Sequence, residues 1–111
     1  KLEKKDFEIA KQYYTIRDYK ASIKANDNFI SSYPGTKFRE ESMHVKLNSM
    51  YEIAINSIEL KKRERLLDIK DYVKLILDYY PETLFIDDIE KKIKRIDKEL
   101  KLFKKEKLPT K

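Results

Sequence analysis

Cysteine is absent from this chain of 111 residues. There is consequently neither a disulfide framework nor a thiolate metal site, and redox chemistry gives no sign of the compartment. Glycine occurs once and proline three times, too few turn formers for the many short strands of a sandwich or barrel. Histidine also occurs once, at His44. With no cysteine and no second histidine to share a metal, a structural role is expected for it, not that of a ligand or a base. No apolar run approaches the length that crosses a bilayer. Gly-rich phosphate loops, nucleophile elbows and zinc-type spacings are all missing. No enzyme is expected, and no cofactor or metal.

Apolar residues make up 41% of the sequence, enough to fill a core, so the equally large charged share does not imply disorder. One domain is expected at this length. Abundant Lys, Glu, Leu and Ile suit long helices joined by short turns. The net charge of +6 is unevenly placed: residues 1–90 carry 16 basic and 17 acidic side chains, whereas 91–111 carry 10 basic and 3 acidic. The chain is neutral with a basic end.

One phrase occurs twice. Asn28–Phe38 reads NFISSYPGTKF and Leu75–Phe85 reads LILDYYPETLF, 47 positions later. Around these copies Asp18-Tyr19 aligns with Arg65-Leu66, and Glu40-Glu41 with Asp87-Asp88. A fixed period of this size marks a stacked-repeat protein, and such arrays bind partners along an extended surface. The expected fold class is all-α: tetratricopeptide-like helical hairpin repeats, an α-solenoid of five antiparallel helices. Repeat one covers about 3–58 and repeat two about 59–106, with a tail over 107–111. Helical pattern is already running at Leu2, and two repeats are fewer than the three or so that arrays need, so a C-terminal part of a longer array is expected.

The punctuation sets the helices. The first covers about Glu3–Thr15 and the second Tyr19–Tyr33, with Asp18 as N-cap. Pro34 disfavours helix at Tyr33, Gly35 eases the turn, and Thr36 caps the third helix, whose first turn carries Glu40 and Glu41. The fourth runs from about Glu64 to Tyr80. Pro81 repeats the break, Thr83 caps the fifth, and Asp87 and Asp88 open it. Glu59–Arg65 (ELKKRER) extends a helix or forms a charged turn. The third helix carries two stripes, Phe38, Ser42, Val45, Ser49, Ile53 and Met43, Leu47, Met50, Ala54, Ile58, and is expected to lie as an interior layer with Ser42 and Ser49 small enough for close approach. The fourth turns Leu66, Ile69, Val73, Ile76 and Tyr80 inwards. The fifth has one stripe, Phe85, Ile89, Ile93, Ile96, Leu100 and Phe103, as an end cap would.

Among candidate sites, the recurring carboxylate pairs fit helix-dipole stabilisation better than acid–base chemistry, which has no need of two copies. The eight tyrosines fit inter-helix layers with hydroxyls at the rim, or the lining of a peptide groove. Around the stripe of the last helix stand Lys91, Lys92, Lys94, Arg95, Lys98, Lys101, Lys104, Lys105 and Lys107. They suit a solvated capping face, or attraction to an acidic protein or anionic surface. Nucleic acid is not expected, because no aromatic or Gly interleaving accompanies the charge.

Taken in order, LEKKDFEIAKQYYTIRDYKASI (Leu2–Ile23), NFISSYPGTKFREESM (Asn28–Met43), YEIAINSIELKKRERL (Tyr51–Leu66) and LILDYYPETLF (Leu75–Phe85) resemble the C-terminal repeats of the BamD family, the tetratricopeptide-repeat lipoproteins of outer-membrane β-barrel assembly. The likeness extends to about Phe103 and is greatest to Bacteroidetes-type members. Arg17 stands where the family usually has Gly, which is tolerable if its φ stays negative. The family's lipid-bearing cysteine and N-terminal repeats are not in this sequence. The resemblance implies a non-catalytic scaffold at the periplasmic face of the outer membrane, lipid-anchored in full-length form. It would dock on the POTRA region of the BamA-like Omp85 barrel beside other assembly subunits. Expected contacts are Lys20, Lys24 and Asp27 on the second helix, Arg63 and Arg65 in the charged connection, and Lys94, Arg95 and Lys98 on the last. The competing reading is a generic peptide-binding adaptor.

Overall fold

The computed structural model describes residues 2–107, with side chains as far as Phe103. The residues after Lys107, expected as a tail, and the side chains of Lys104, Lys105 and Lys107 lie outside that range. Among the described residues the chain is all-α, as tetratricopeptide-like hairpins require. The helices are α1 Leu2–Thr15, α2 Tyr19–Ser32, α3 Arg39–Ile55, α4 Glu59–Tyr79 and α5 Ile86–Lys107. They fall into two compact units, Lys1–Ile53 and Ala54–Lys111.

The duplicated phrase folds the same way twice. Tyr33 ends α2 at φ −130, ψ 69, and Tyr80 ends α4 at φ −135, ψ 76. Each donates its N–H to the carbonyl four residues back, Phe29 or Ile76, before proline closes the helix. The Thr36 and Thr83 N–H groups then donate to the Tyr33 and Tyr80 carbonyls. Their hydroxyls accept from the Phe38 and Phe85 N–H groups at 3.0 and 3.2 Å. The threonines thus fold the turn itself, and the helices begin three residues further on, at Arg39 and Ile86. Glu40-Glu41 and Asp87-Asp88 occupy the first turns, against the positive ends of the dipoles.

ELKKRER is helical. It lengthens α4 to 21 residues against 14 in α2, about two extra turns, which accounts for the long period. Ile58 departs from expectation: α3 stops at Ile55, so Ile58 falls in the following turn and is 70% exposed instead of continuing the buried stripe.

The turn between α1 and α2 reverses the requirement on Arg17. The Arg17 N–H donates to the Tyr14 carbonyl and the Asp18 N–H to the Tyr13 carbonyl, both at 2.9 Å. That pair of bonds is a Schellman closure, which needs a left-handed residue at its penultimate position. Arg17 supplies it at φ 66. The negative φ on which tolerance of an arginine here depends does not hold, because the Schellman closure takes a left-handed residue at this position. Asp18 then caps α2 by accepting from the Ala21 N–H at 3.2 Å. Gly35, by contrast, has no positive φ, and a Cβ built on it meets nothing within 4 Å. The single glycine stands where none is required, and an arginine stands where one is. Arg17→Gly is expected to raise the stability of the first unit by about 0.5–1 kcal/mol, relief of left-handed strain outweighing added unfolded-state freedom. Gly35→Ala should be neutral or stabilising by up to about 1 kcal/mol. Urea unfolding checks both, and a loss in either variant would contradict the turn geometry.

The first unit buries Phe7, Ala10 and Phe29. The Phe7 ring lies 5.0 Å from that of Phe38 and 5.3 Å from that of Phe29. Beside this aromatic cluster is a buried polar one, with Ser22, Asn26, Ser42 and Ser49 all 0% exposed. The Ser42 hydroxyl donates to Asn26 Oδ1 at 2.7 Å. Asn26 Nδ2 donates to the Ser22 carbonyl at 2.8 Å and reaches its Oγ at 3.3 Å. Ser49 Oγ lies 2.8 Å from Ser22 Oγ and 3.0 Å from the Val45 carbonyl. With the Ser22 hydroxyl donating to Ser49, and Ser49 donating to Val45, every member is satisfied. Small side chains let α2 and α3 approach, and the directed bonds fix their register.

The second unit buries Leu66, Ile69, Val73 and Ile76 on α4, and Ile89 and Ile96 on α5. At the 47-residue offset, Ile69, Val73, Ile89 and Ile96 are the counterparts of Ser22, Asn26, Ser42 and Ser49. Equivalent positions are hydrogen-bonded in one hairpin and wholly aliphatic in the other.

Candidate interaction surfaces

Surface charge becomes informative once intramolecular pairing is taken into account. Of the eight expected contact residues, three are engaged within the chain. Asp27 Oδ1 accepts from Lys46 Nζ at 2.7 Å. Arg65 Nη1 donates to Ser57 Oγ at 2.6 Å, holding the turn ahead of α4. Arg95 Nε donates to Glu99 Oε2 at 3.1 Å. Lys20, Lys24, Arg63, Lys94 and Lys98 are exposed. Lys20 and Lys24 lie on one face of α2, and Lys94 and Lys98 on one face of α5. Lys91 and Lys101, which are not among the expected contacts, share the α5 face and are exposed too.

Glu99 anchors the α4–α5 hairpin. Its Oε1 accepts from Lys62 Nζ at 2.9 Å, and its Oε2 from Arg95. The hydrogen bond from Lys62, followed by that from Arg95, holds the carboxyl below its ordinary pKa. A depressed folded pKa gives stability that is complete above the unfolded-state value and disappears as pH falls through the folded one. The second unit should therefore lose stability on acidification through and below the usual carboxylate range, by about 1 kcal/mol for this group. Glu99→Gln should remove that component from an acid titration of unfolding; an unchanged acid limb would contradict it. On the other unit the Tyr33 hydroxyl donates to Asp6 Oδ2 at 3.0 Å, which raises the phenol's pKa.

An open groove of about 440 Å³ in the first unit is lined by Glu8, Lys11, Gln12, Tyr14, Thr15 and Val45. Tyr14 in its lining fits the peptide-groove reading of the tyrosines. Lys11 beside it is drawn to Glu41 at 3.3 Å and lies over the Phe7 ring. On α3, the buried Asn48 Oδ1 accepts no hydrogen bond. Leu2 and Ile9 on α1, and Ile16 in the turn just after it, are exposed at seven-residue intervals.

Among the described residues, no group of three or more His, Cys, Asp or Glu side chains could hold a metal ion. No described helix is long and apolar enough to cross a membrane. No curated protein matches the chain significantly. The family model for the YfiO outer membrane lipoproteins matches residues 1–104. With that span covering nearly the whole sequence and both Tyr-Pro-x-Thr turns, the chain belongs to the YfiO, or BamD-type, family of outer membrane lipoproteins, which act at the periplasmic face of the outer membrane.

Proposed function

We propose that this chain is a non-catalytic scaffold of outer-membrane β-barrel assembly, docking on the periplasmic POTRA region of a BamA-like Omp85 barrel alongside other assembly subunits. The observation that carries this reading is the family match over residues 1–104. Supporting it, the chain offers rigid helical hairpins with exposed, unspent charge, the kind of surface that gives steering and specificity to protein association. The segment Ala10–Ser22, AKQYYTIRDYKAS, supports placing it among Bacteroidetes-type members. Lys20 and Lys24 on α2 and Arg63 on α4 are the contacts this reading favours. Asp27, Arg65 and Arg95 are engaged within the chain, so their loss acts through the fold.

Pull-down with a purified POTRA domain tests the docking. Lys20→Glu with Lys24→Glu should weaken binding by about tenfold or more, since a like charge at an interface costs over 1 kcal/mol. Binding that is absent in the unsubstituted chain would overturn the proposal, and unchanged binding in the variant would exclude the α2 contacts.

A further inference from the structure

On α5 the outermost face, directly opposite Ile89 and Ile96, carries Lys91, Lys94, Lys98 and Lys101 at spacings of three, four and three. All four are exposed. Their basic neighbours on the flanks of the same helix are neutralised: Lys92 by Asp88 at 2.9 Å and Arg95 by Glu99 at 3.1 Å. Lys70 on α4 is likewise taken by Asp97, and Lys62 by Glu99. The stripe lysines make no ion pair with any described residue. Of the acidic side chains near the stripe, Asp87 and Glu90 stand at its N-terminal end, and Asp97, one turn from both Lys94 and Lys101, is already paired with Lys70. The result is a line of four ammonium groups about 15 Å long.

We infer that this lysine stripe rests against the anionic phospholipid headgroups of the membrane and sets the orientation of the second unit on it. The composition of the face selects this occupant over an acidic protein. Protein interfaces are built around aromatic, Met and Arg anchors, whereas this stripe has no aromatic, and the one arginine beside it, Arg95, is held by Glu99. Lysine point charges with long mobile stems suit a diffuse, laterally mobile array of phosphates. Leu102, 53% exposed and one turn beyond Lys98, is the apolar side chain placed to enter the headgroup layer beside them. The inference rests on the outer-membrane location of the family. In a protein already held at that surface, weak attraction is enough to orient it, because the encounter is intramolecular.

Sedimentation of the chain with lipid vesicles tests this. It should pellet with vesicles of phosphatidylcholine containing about 30% phosphatidylglycerol and stay in solution with phosphatidylcholine alone. Binding should vanish at about 0.5 M salt, where the Debye length falls to a few ångströms. Each stripe lysine is worth about fivefold in partitioning, so Lys91→Gln, Lys94→Gln, Lys98→Gln and Lys101→Gln together should reduce it by more than tenfold. Lys92→Gln, which removes an equal charge already held by Asp88, should stay within about twofold, because its ammonium is not free to meet headgroups. Far-ultraviolet circular dichroism confirms that the variants remain helical. Equal binding to both vesicle types, or a quadruple variant that partitions like the parent, overturns the inference. So does a quadruple variant that keeps vesicle binding and loses the POTRA domain, which would make the stripe a protein contact. Failure with vesicles leaves the Lys20 and Lys24 docking measurement standing.

Discussion

Ile89→Ser is expected to destabilise the second unit by about 3–5 kcal/mol, although serine is the residue found at the equivalent place in the first hairpin. Ser42 is tolerated at 0% exposure because Asn26 Oδ1 accepts its hydroxyl at 2.7 Å. The counterpart of Asn26 in the second hairpin is Val73, which has no acceptor to offer. A serine at position 89 could turn back to the Phe85 carbonyl, as helical serines do, but that bond leaves the volume of the missing isoleucine empty. Cavity and lost transfer energy act together. Amide exchange on α4 and α5 would read the effect locally, and a cost under about 1 kcal/mol would show that the second hairpin is packed more loosely than its burial implies.

Asn26→Val, the reverse exchange, should cost the first unit about 2–3 kcal/mol despite adding apolar volume. Valine removes the acceptor of the Ser42 hydroxyl and the amide that donates to Ser22. Ser22, Ser42 and Ser49 then form a partly satisfied set at 0% exposure, and an unpaired buried hydroxyl carries its full desolvation penalty. The four positions are coupled, so single substitutions in either direction are costly and do not add. Urea unfolding followed by amide exchange on α2 and α3 measures this. A neutral or stabilising Asn26→Val would mean that the network contributes register without stability, as some buried polar groups do.

The hairpin architecture was legible because its signals are local. Proline stops a helix by its own covalent geometry, and a threonine two residues later can bond only to the backbone within its reach. That logic holds at both copies. It failed at Arg17, where side-chain identity pointed away from the left-handed geometry that closing the turn demands. Ser22 and Asn26 are not recognisable as core from residue type, because polar residues on an amphipathic helix ordinarily face water. A signal was nevertheless present: the 47-residue period aligns them with Ile69 and Val73, which read plainly as buried. Contact surfaces were less legible for a different reason. The Arg95–Glu99 pair is a local one, four residues apart on a single helix. Whether Asp27 is taken, however, depends on a lysine placed by packing between helices, Lys46, 19 residues away, as Lys70 and Asp97 are 27 apart.

Isolation of the full-length protein from gently solubilised outer membranes is the most direct test of the scaffold role. An Omp85-type barrel carrying POTRA domains should accompany it in near-equal amount, and the Lys20→Glu, Lys24→Glu protein should recover markedly less. Recovery of the intact lipoprotein with no Omp85-type barrel at all would contradict the account.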